Sequence, residues 1–236
     1  CFIYPGIICL IYGLIFLRAL KPLPAATQPD SAAYGTRKLA PNWPLALGAL
    51  VITTVSGGFI FGSMTFFIPR YLEISMGNVS TSVFVTGLFA SLVYGVASFS
   101  QIAVGWLIDR FSPKYILFYM GVGQCVFIYL ASIHNNISLF FIMIMAMCFV
   151  FGQIPITDTI ISRYVPDLWR AKVLSLKFLL NLSVGALVLP IASLLLQSGF
   201  LISELFFMMS AIGILIIISA VILPNQRKAE RIDLNT

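Results

Sequence analysis

The sequence predicts an all-α polytopic membrane protein, and three observations carry that prediction. Of its 236 residues, 60% are hydrophobic and only 9% are charged, whereas soluble domains carry about 25% charged residues. Apolar stretches recur along the chain at the length of about 20 residues that a helix needs to cross a bilayer. Of the 14 Lys and Arg residues, 13 fall in every second gap between these stretches. Because multi-pass proteins keep Lys and Arg on the cytoplasmic side, the pattern predicts seven crossings and a cytoplasmic C-terminus.

Seven segments are apolar enough to be predicted as membrane helices. They do not alternate in polarity, and they exceed the roughly ten residues of a barrel strand, so helices fit better than strands. The first starts at Cys1 inside an apolar stretch, and we interpret it as the truncated start of a fragment of a longer protein. The predicted spans are residues 1–17, 43–69, 81–108, 115–133, 138–162, 173–197 and 204–223.

The predicted domains follow from these spans. Residues 1–17 form one helix. Residues 18–42, which contain four prolines among alanine and polar residues, are predicted to form a flexible cytoplasmic linker. Residues 43–223 form a six-helix bundle, whose short loops make sequential helices antiparallel neighbours. Residues 224–236 form a cytoplasmic tail.

Charge and cysteine usage argue against several classes of function. The formal net charge of +6 is divided among loops at membrane edges, so it predicts contact with lipid headgroups and no nucleic-acid partner. The four cysteines lie in apolar stretches without metal-ligand spacing, and the single histidine, His134, has no second ligand nearby. We therefore expect no metal site and no cofactor. A membrane-embedded enzyme would need a cluster of His, Asp or Cys, so the sequence does not favour an enzyme.

Two charged residues lie inside predicted spans. Asp158 is about 6 Å from the end of the fifth span at 1.5 Å per residue, and Lys177 lies about as far into the sixth. A charge in lipid costs roughly 2.5–3.5 kcal/mol near the bilayer centre, and mutual pairing would lower that cost. One interpretation is therefore a structural Asp158–Lys177 ion pair. The other is a carboxylate that is linked to a proton or to a substrate.

Uncharged polar residues in the same two spans are candidates for the wall of a solute pathway. Gln153 shares the fifth span with the carboxylate, and Asn181 lies one turn beyond the ammonium on the same helix face. Hydrogen bonding between helices is the alternative role for both. Gly58 and Gly62 are spaced for close helix packing, or for a surface that slides during a conformational change.

A loop between the third and fourth spans resembles a family signature. The segment reads GWLIDRFSPK, with Gly105, Asp109, Arg110 and Lys114 at the matching positions. It resembles the loop signature of the major facilitator superfamily, in which a glycine, three residues, an aspartate and a basic residue precede a glycine and further basic residues. The chain departs from that pattern at Ser112, where the family usually has glycine.

A second loop is similar to the same family. After the fifth span the chain reads RYVPDLWRA, in which Pro166 is followed four residues later by Arg170. The loop between the family's tenth and eleventh helices has this pattern, although its usual glycine after the arginine is Ala171 here. The seven spans would then correspond to the last helix of an N-terminal half and to all six helices of a C-terminal half.

The resemblance implies a secondary active transporter of a small-molecule substrate, which works by alternating access and is coupled to protons. Its partners would be the lipid bilayer, in a bacterial inner membrane, and the missing N-terminal half. In the family's pattern, Asp109 would form a cytoplasmic latch with a helix N-terminus or with a basic residue such as Arg170. Alternatively, Asp109 only ends a helix. A non-transporting receptor or sensor on the same fold is the alternative function.

Overall fold

The computed structural model describes residues 3–19, 43–75 and 83–224, and in these ranges the chain consists of α-helices and the turns between them. The prediction of an all-α chain is confirmed. Seven helices are present in the described ranges, and six of them are long and apolar enough to cross a membrane. The helices are α1 (Ile3–Ala19), α2 (Trp43–Ser75), α3 (Val83–Arg110), α4 (Pro113–Ile133), α5 (Asn136–Tyr164), α6 (Asp167–Gln197) and α7 (Ile202–Ile222).

The first helix belongs to a different compact unit from the other six helices. The chain divides into two compact units, and α1 lies in the first, while α2 to α7 lie in the second. At 17 residues, α1 is shorter than the other helices. Most of the predicted linker, from residue 20 onward, and the predicted tail from residue 225 lie outside the described residues. The predicted domain boundaries therefore stay predictions.

The second helix continues past an internal proline. α2 was expected to end at Pro69, but it extends to Ser75. Proline has no N–H, so Pro69 leaves the carbonyl of Thr65 without its helical donor. The hydroxyl of Tyr94 on α3 donates to that carbonyl at 2.9 Å. A side chain from a neighbouring helix thus replaces the missing hydrogen bond and lets the helix run on.

The turn between α6 and α7 depends on a glycine in the left-handed region. Gly199 has a φ of +91°, which an L-residue with a side chain rarely adopts. Its N–H donates to the carbonyl of Leu196 at 3.1 Å, and the N–H of Phe200 donates to the carbonyl of Leu195 at 3.2 Å. These two bonds form a Schellman motif, which satisfies the last carbonyls of α6 and ends the helix.

The six-helix unit is organised around α2, which contacts α3, α5, α6 and α7. α4 packs against α5 and α7, and α3 packs against α5. The helices differ widely in how far their neighbours bury them. Half of the most apolar stretch of α2 is buried, but only 11% of the most apolar stretch of α6. The fully buried side chains of α2 include Ile60, Met64 and Ile68. Most of the apolar surface of α6 is therefore left for lipid or for other helices to cover.

Candidate functional site

A cavity of about 180 Å³, whose wall is mostly apolar but includes several polar side chains, lies between α2, α5 and α6. Three of the four residues predicted to line a solute pathway, Gln153, Lys177 and Asn181, are in its wall. The fourth, Asp158, is not among the lining residues, but it forms an ion pair with Lys177, which is. The structure therefore brings the predicted residues of α5 and α6 together at one place. It adds α2 as a third wall, which the sequence did not predict for the solute pathway.

Two adjacent glycines of α2 make room for the polar side chains of the cavity. A Cβ on Gly57 would lie 2.4 Å from Nε2 of Gln153, and a Cβ on Gly58 would lie 2.5 Å from Oδ1 of Asn181. Both distances are shorter than van der Waals contact. The pair therefore has a specific function in packing: it allows two amide side chains from different helices to reach the α2 backbone. Gly57 was not predicted to have this role.

Gln153 joins α5 to α2. Its side chain is 5% exposed, and its Nε2 donates to the backbone carbonyl of Thr53 at 3.2 Å. The hydroxyl of Thr53 in turn hydrogen-bonds the hydroxyl of Ser219 on α7. A buried amide that makes such a bond stabilises the contact between helices, which is the alternative role that the sequence left open. Gln153 is also one of the residues that line the cavity.

Lys177 and Asp158 form an ion pair across α5 and α6. Nζ of Lys177 donates to Oδ1 of Asp158 at 2.5 Å. The lysine side chain is only 10% exposed, whereas the aspartate side chain is 47% exposed. The structure thus shows the pairing that was one of the two interpretations. It also shows an asymmetry that the sequence could not reveal: the cation is enclosed, and the anion is accessible.

The helix that carries Lys177 begins earlier than the apolar pattern predicted. The apolar pattern placed the start of this helix at residue 173, but α6 begins at Asp167, directly after Pro166. Lys177 therefore lies ten residues into the helix, which is about 15 Å at 1.5 Å per residue. The predicted span covers only the apolar part of the helix, because the charged residues in the first turns were interpreted as part of the loop. Proline directly before a helix is compatible with a helix start, since its own missing N–H needs no partner there.

Hydroxyl and aromatic side chains complete the cavity wall. The hydroxyl oxygen of Thr54 is buried and has no hydrogen-bond partner in the part of the chain that the structure describes. The aromatic rings of Phe61 and Phe178 also line the cavity, and Nζ of Lys177 lies 5.6 Å from the centroid of the Phe178 ring. The positions of Thr54, Gly58 and Phe61 recur at helical spacing, so one face of α2 could have been predicted to meet the polar faces of α5 and α6.

The basic end of the six-helix unit comprises the α3–α4 turn, the α5–α6 turn and the end of α7. Here basic side chains donate to carbonyls at the ends of other helices. Lys114 of α4 donates to the carbonyl of Val221 on α7 at 2.7 Å. Arg163 of α5 donates to the carbonyl of Ile108 on α3 at 3.0 Å. Such contacts satisfy carbonyls that lack a helical donor and place positive charge at the negative end of the helix dipole.

The residues of the predicted latch also lie at the basic end, where the described side chains make other contacts. Asp109 is exposed in the last turn of α3, and within the described ranges no salt bridge joins it to Arg170. Arg170 instead donates to the carbonyl of Ser162 on α5 at 3.0 Å. The guanidinium group of Arg110 lies 3.9 Å from the centroid of the Trp106 ring.

The glycine of the loop motif is not explained by crowding. A Cβ on Gly105 would meet no atom within 4 Å. The packing of the described residues therefore gives no reason for a glycine at this position.

Comparisons with known proteins agree with this architecture. The family model described as Major Facilitator Superfamily matches residues 1–176 and, in a second match, residues 76–235. The structure is similar to that of the transporter FucP in its outward conformation, with a TM-score of 0.65 and 15% identity over 93% of this chain and 52% of that one. None of the curated proteins matches the sequence.

Two further solved structures are similar. One is a variant of the E. coli fucose:proton symporter FucP, with a TM-score of 0.65 and 15% identity over 78% of this chain and 43% of that one. The other is the peptide transporter POT in complex with sulfate, with a TM-score of 0.64 and 18% identity over 75% of this chain and 37% of that one. At such low identity these likenesses show the fold. The chain spans between 37% and 52% of the length of these structures.

The six apolar helices of membrane-spanning length define a multi-pass helical membrane protein. Together the two matches of the family model cover almost the whole sequence. The chain belongs to the major facilitator superfamily, and the resemblance found in its two loop motifs is confirmed.

Proposed function

We propose that the chain forms the C-terminal half of a secondary active transporter, which moves a small solute by alternating access and is not an enzyme. The observation that carries the proposal is the cavity between α2, α5 and α6, which has one residue of an ion pair in its wall, in a chain of this family. The chain spans about half the length or less of the solved transporters that it resembles. A missing N-terminal half would supply the opposite wall of the solute pathway.

The Asp158–Lys177 pair is the proposed coupling element. Asp158 is half exposed in the described residues, and the proposal places its carboxylate where water and protons reach it through the solute pathway. Lys177 is the charged side chain that α6 presents to it. Protonation of Asp158 would remove the negative charge, break the ion pair and leave an enclosed ammonium group that must find another partner. A contact with two states of this kind can bias the equilibrium between two conformations of the transporter.

The loop motif is the proposed gate on the cytoplasmic side. Gly105, Asp109, Arg110 and Lys114 lie at the basic end together with Arg170. Because Asp109 is exposed, a contact with a helix N-terminus or with a basic residue can form when the two halves rock together. The proposal predicts that this contact is present in one conformation and absent in the other, and the described conformation is one without the Asp109–Arg170 pair.

The proposed location is the plasma membrane of a bacterium, with the basic end and the C-terminus in the cytoplasm. The argument is the distribution of Lys and Arg among alternate gaps of the sequence. Within the described residues, the basic side chains of the α3–α4 and α5–α6 turns lie at one end of the helices, together with the end of α7. That grouping supports a single cytoplasmic face.

The proposal is tested with the complete transporter that contains this chain, reconstituted in liposomes with a pH-sensitive dye inside. A panel of small solutes is added outside, and solute-driven proton movement is recorded. Asp158→Asn is expected to reduce that movement at least about tenfold, because the carboxylate that takes up the proton is gone. The double variant Asp158→Asn with Lys177→Gln keeps the experiment decisive if the single variant does not fold, since it leaves no unpaired charge.

Glu73→Gln is the matched control. Glu73 pairs with Arg70 at 2.7 Å and its side chain is 45% exposed, close to the exposure of Asp158, but it lies at the opposite end of α2. Glu73→Gln should leave proton movement unchanged. Unchanged proton movement in folded Asp158→Asn would contradict the coupling role. Solute binding to the complete protein without any flux would contradict transport and would favour the receptor or sensor.

A further inference from the structure

We propose that the cavity between α2, α5 and α6 recognises the carboxylate group of a small organic acid through Lys177. This inference rests on the proposed function and specifies its substrate class. It follows from which charge lines the cavity, which donors surround that charge, and what the rest of the wall is made of.

The charged residue that lines the cavity is basic. Lys177 is a lining residue, whereas its counter-ion Asp158 is not. The aspartate side chain is 47% exposed, while the lysine side chain is 10% exposed. The ammonium group has three N–H donors and acts as no acceptor. Because the bond to Asp158 occupies one of them, the others remain for a ligand in the cavity.

The polar groups around the ammonium are suited to an anion. Gln153 uses one amide N–H on the Thr53 carbonyl, and the residue lines the cavity. Asn181 lies one turn along α6 from Lys177 and places its amide against Gly58. The hydroxyl of Thr54 is buried without a partner in the described ranges. A carboxylate can accept hydrogen bonds at about four lone-pair positions, which an ammonium and two amides can fill.

The exposed counter-ion makes an exchange of partners physically reasonable. When a ligand carboxylate takes the place of Asp158 at the ammonium, the aspartate is not enclosed by the described helices, since 47% of its side chain is exposed there, and it can find another partner in the solute pathway. An uncompensated buried charge would be strongly destabilising, so the same exchange would be unfavourable if the exposures were reversed. The asymmetry of the pair therefore favours an anionic ligand over a cationic one.

The remaining wall and the volume limit the size of the ligand. Phe61 and Phe178 present aromatic surface, and Val150 and Ile154 present aliphatic surface. A volume of about 180 Å³ corresponds to about six water molecules at roughly 30 Å³ each. The cavity thus fits a carboxylate with a short apolar body, of the size of benzoate.

The experiment compares benzoate with its neutral analogue benzamide and its cationic analogue benzylamine. Binding of each to the complete transporter that contains this chain, purified in detergent micelles, is measured by titration calorimetry. Benzoate is expected to bind at least about tenfold more tightly than benzamide, as a charge-assisted hydrogen bond outweighs a neutral one. Asp158→Asn should raise the affinity for benzoate several-fold, because it removes the competing carboxylate.

Lys177→Gln should abolish the preference for benzoate over benzamide. Arg70→Gln is the control, because it removes a positive charge at the opposite end of α2, and it should leave the preference unchanged. If Lys177→Gln does not fold, the double variant with Asp158→Asn replaces it. Equal affinities of benzoate and benzamide, tighter binding of benzylamine, a preference that survives Lys177→Gln, or no binding of benzoate at millimolar concentration would each overturn the inference.

The outcome is independent of the transport measurement. Binding is recorded without a membrane gradient, so it does not require coupling to protons. Preference for benzylamine together with intact solute-driven proton movement would overturn only the carboxylate assignment. Tight binding of benzoate to the complete protein, with no proton movement, would overturn only the transport proposal.

Discussion

The glycine pair of α2 allows a sharp test of how the cavity is built. Gly57→Ala places a methyl group 2.4 Å from Nε2 of Gln153. The amide must move, and because Gln153 is 5% exposed, it has little room in which to find another partner. The hydrogen bond to the Thr53 carbonyl is therefore expected to break.

The matched control is Gly48→Ala in the same helix. A Cβ on Gly48 would meet no atom within 4 Å, so this variant reports only the intrinsic preference for alanine in a helix, which is up to about 1 kcal/mol. Gly57→Ala gains the same preference but loses a hydrogen bond of a buried amide, which costs about 1–3 kcal/mol. The free energy of unfolding of Gly57→Ala should therefore be about 1–3 kcal/mol lower than that of Gly48→Ala.

The assay is reversible unfolding in mixed micelles, with helicity followed by circular dichroism as the fraction of denaturing detergent is raised. A second background identifies the cause. In the Gln153→Ala background, the side chain that clashes is absent. Gly57→Ala should then change the free energy of unfolding by the same amount as Gly48→Ala. If Gly57→Ala matches Gly48→Ala in the wild-type background, or if its cost persists without Gln153, the proposed role of Gly57 is wrong.

Three further variants test single contacts with the same assay. Tyr94→Phe removes the donor to the Thr65 carbonyl and should lower the free energy of unfolding by about 1–3 kcal/mol; no change would mean that another donor replaces it. Lys114→Met removes the donor to the carbonyl of Val221 and should cost about 1 kcal/mol, an effect that added salt should reduce. Gly199→Ala places a side chain at a φ of +91° and should cost about 1–2 kcal/mol; a neutral result would require the turn to adopt another conformation.

Much of the fold could be predicted because a membrane helix leaves a strong signal in the sequence. All backbone polar groups must be satisfied within the lipid, so each crossing is a long apolar helix. The limits of these helices were less predictable. α6 begins at Asp167, six residues before its apolar run, since charged residues can occupy helical turns outside the hydrocarbon layer.

The candidate site could be predicted only where polar residues interrupt an apolar helix. Gln153, Lys177 and Asn181 were found in this way, and they line one cavity. Gly57 could not be found, because a glycine in a membrane helix looks the same whether it packs against lipid, against a side chain or against a backbone. The different exposures of the ion pair also depend on helix rotation, which a nearly uniform apolar sequence does not reveal.

The contacts at the basic end affect how the orientation of the chain can be studied. Mutagenesis that neutralises Lys114 or Arg163 to invert the topology would also remove a donor from a helix end on another segment. A loss of protein in such a variant would then report misfolding as readily as reversed insertion. Two other methods separate these effects: adding new positive charges to the opposite loops, or attaching reporter enzymes to loop insertions. Both leave the hydrogen bonds of Lys114 and Arg163 between helices intact.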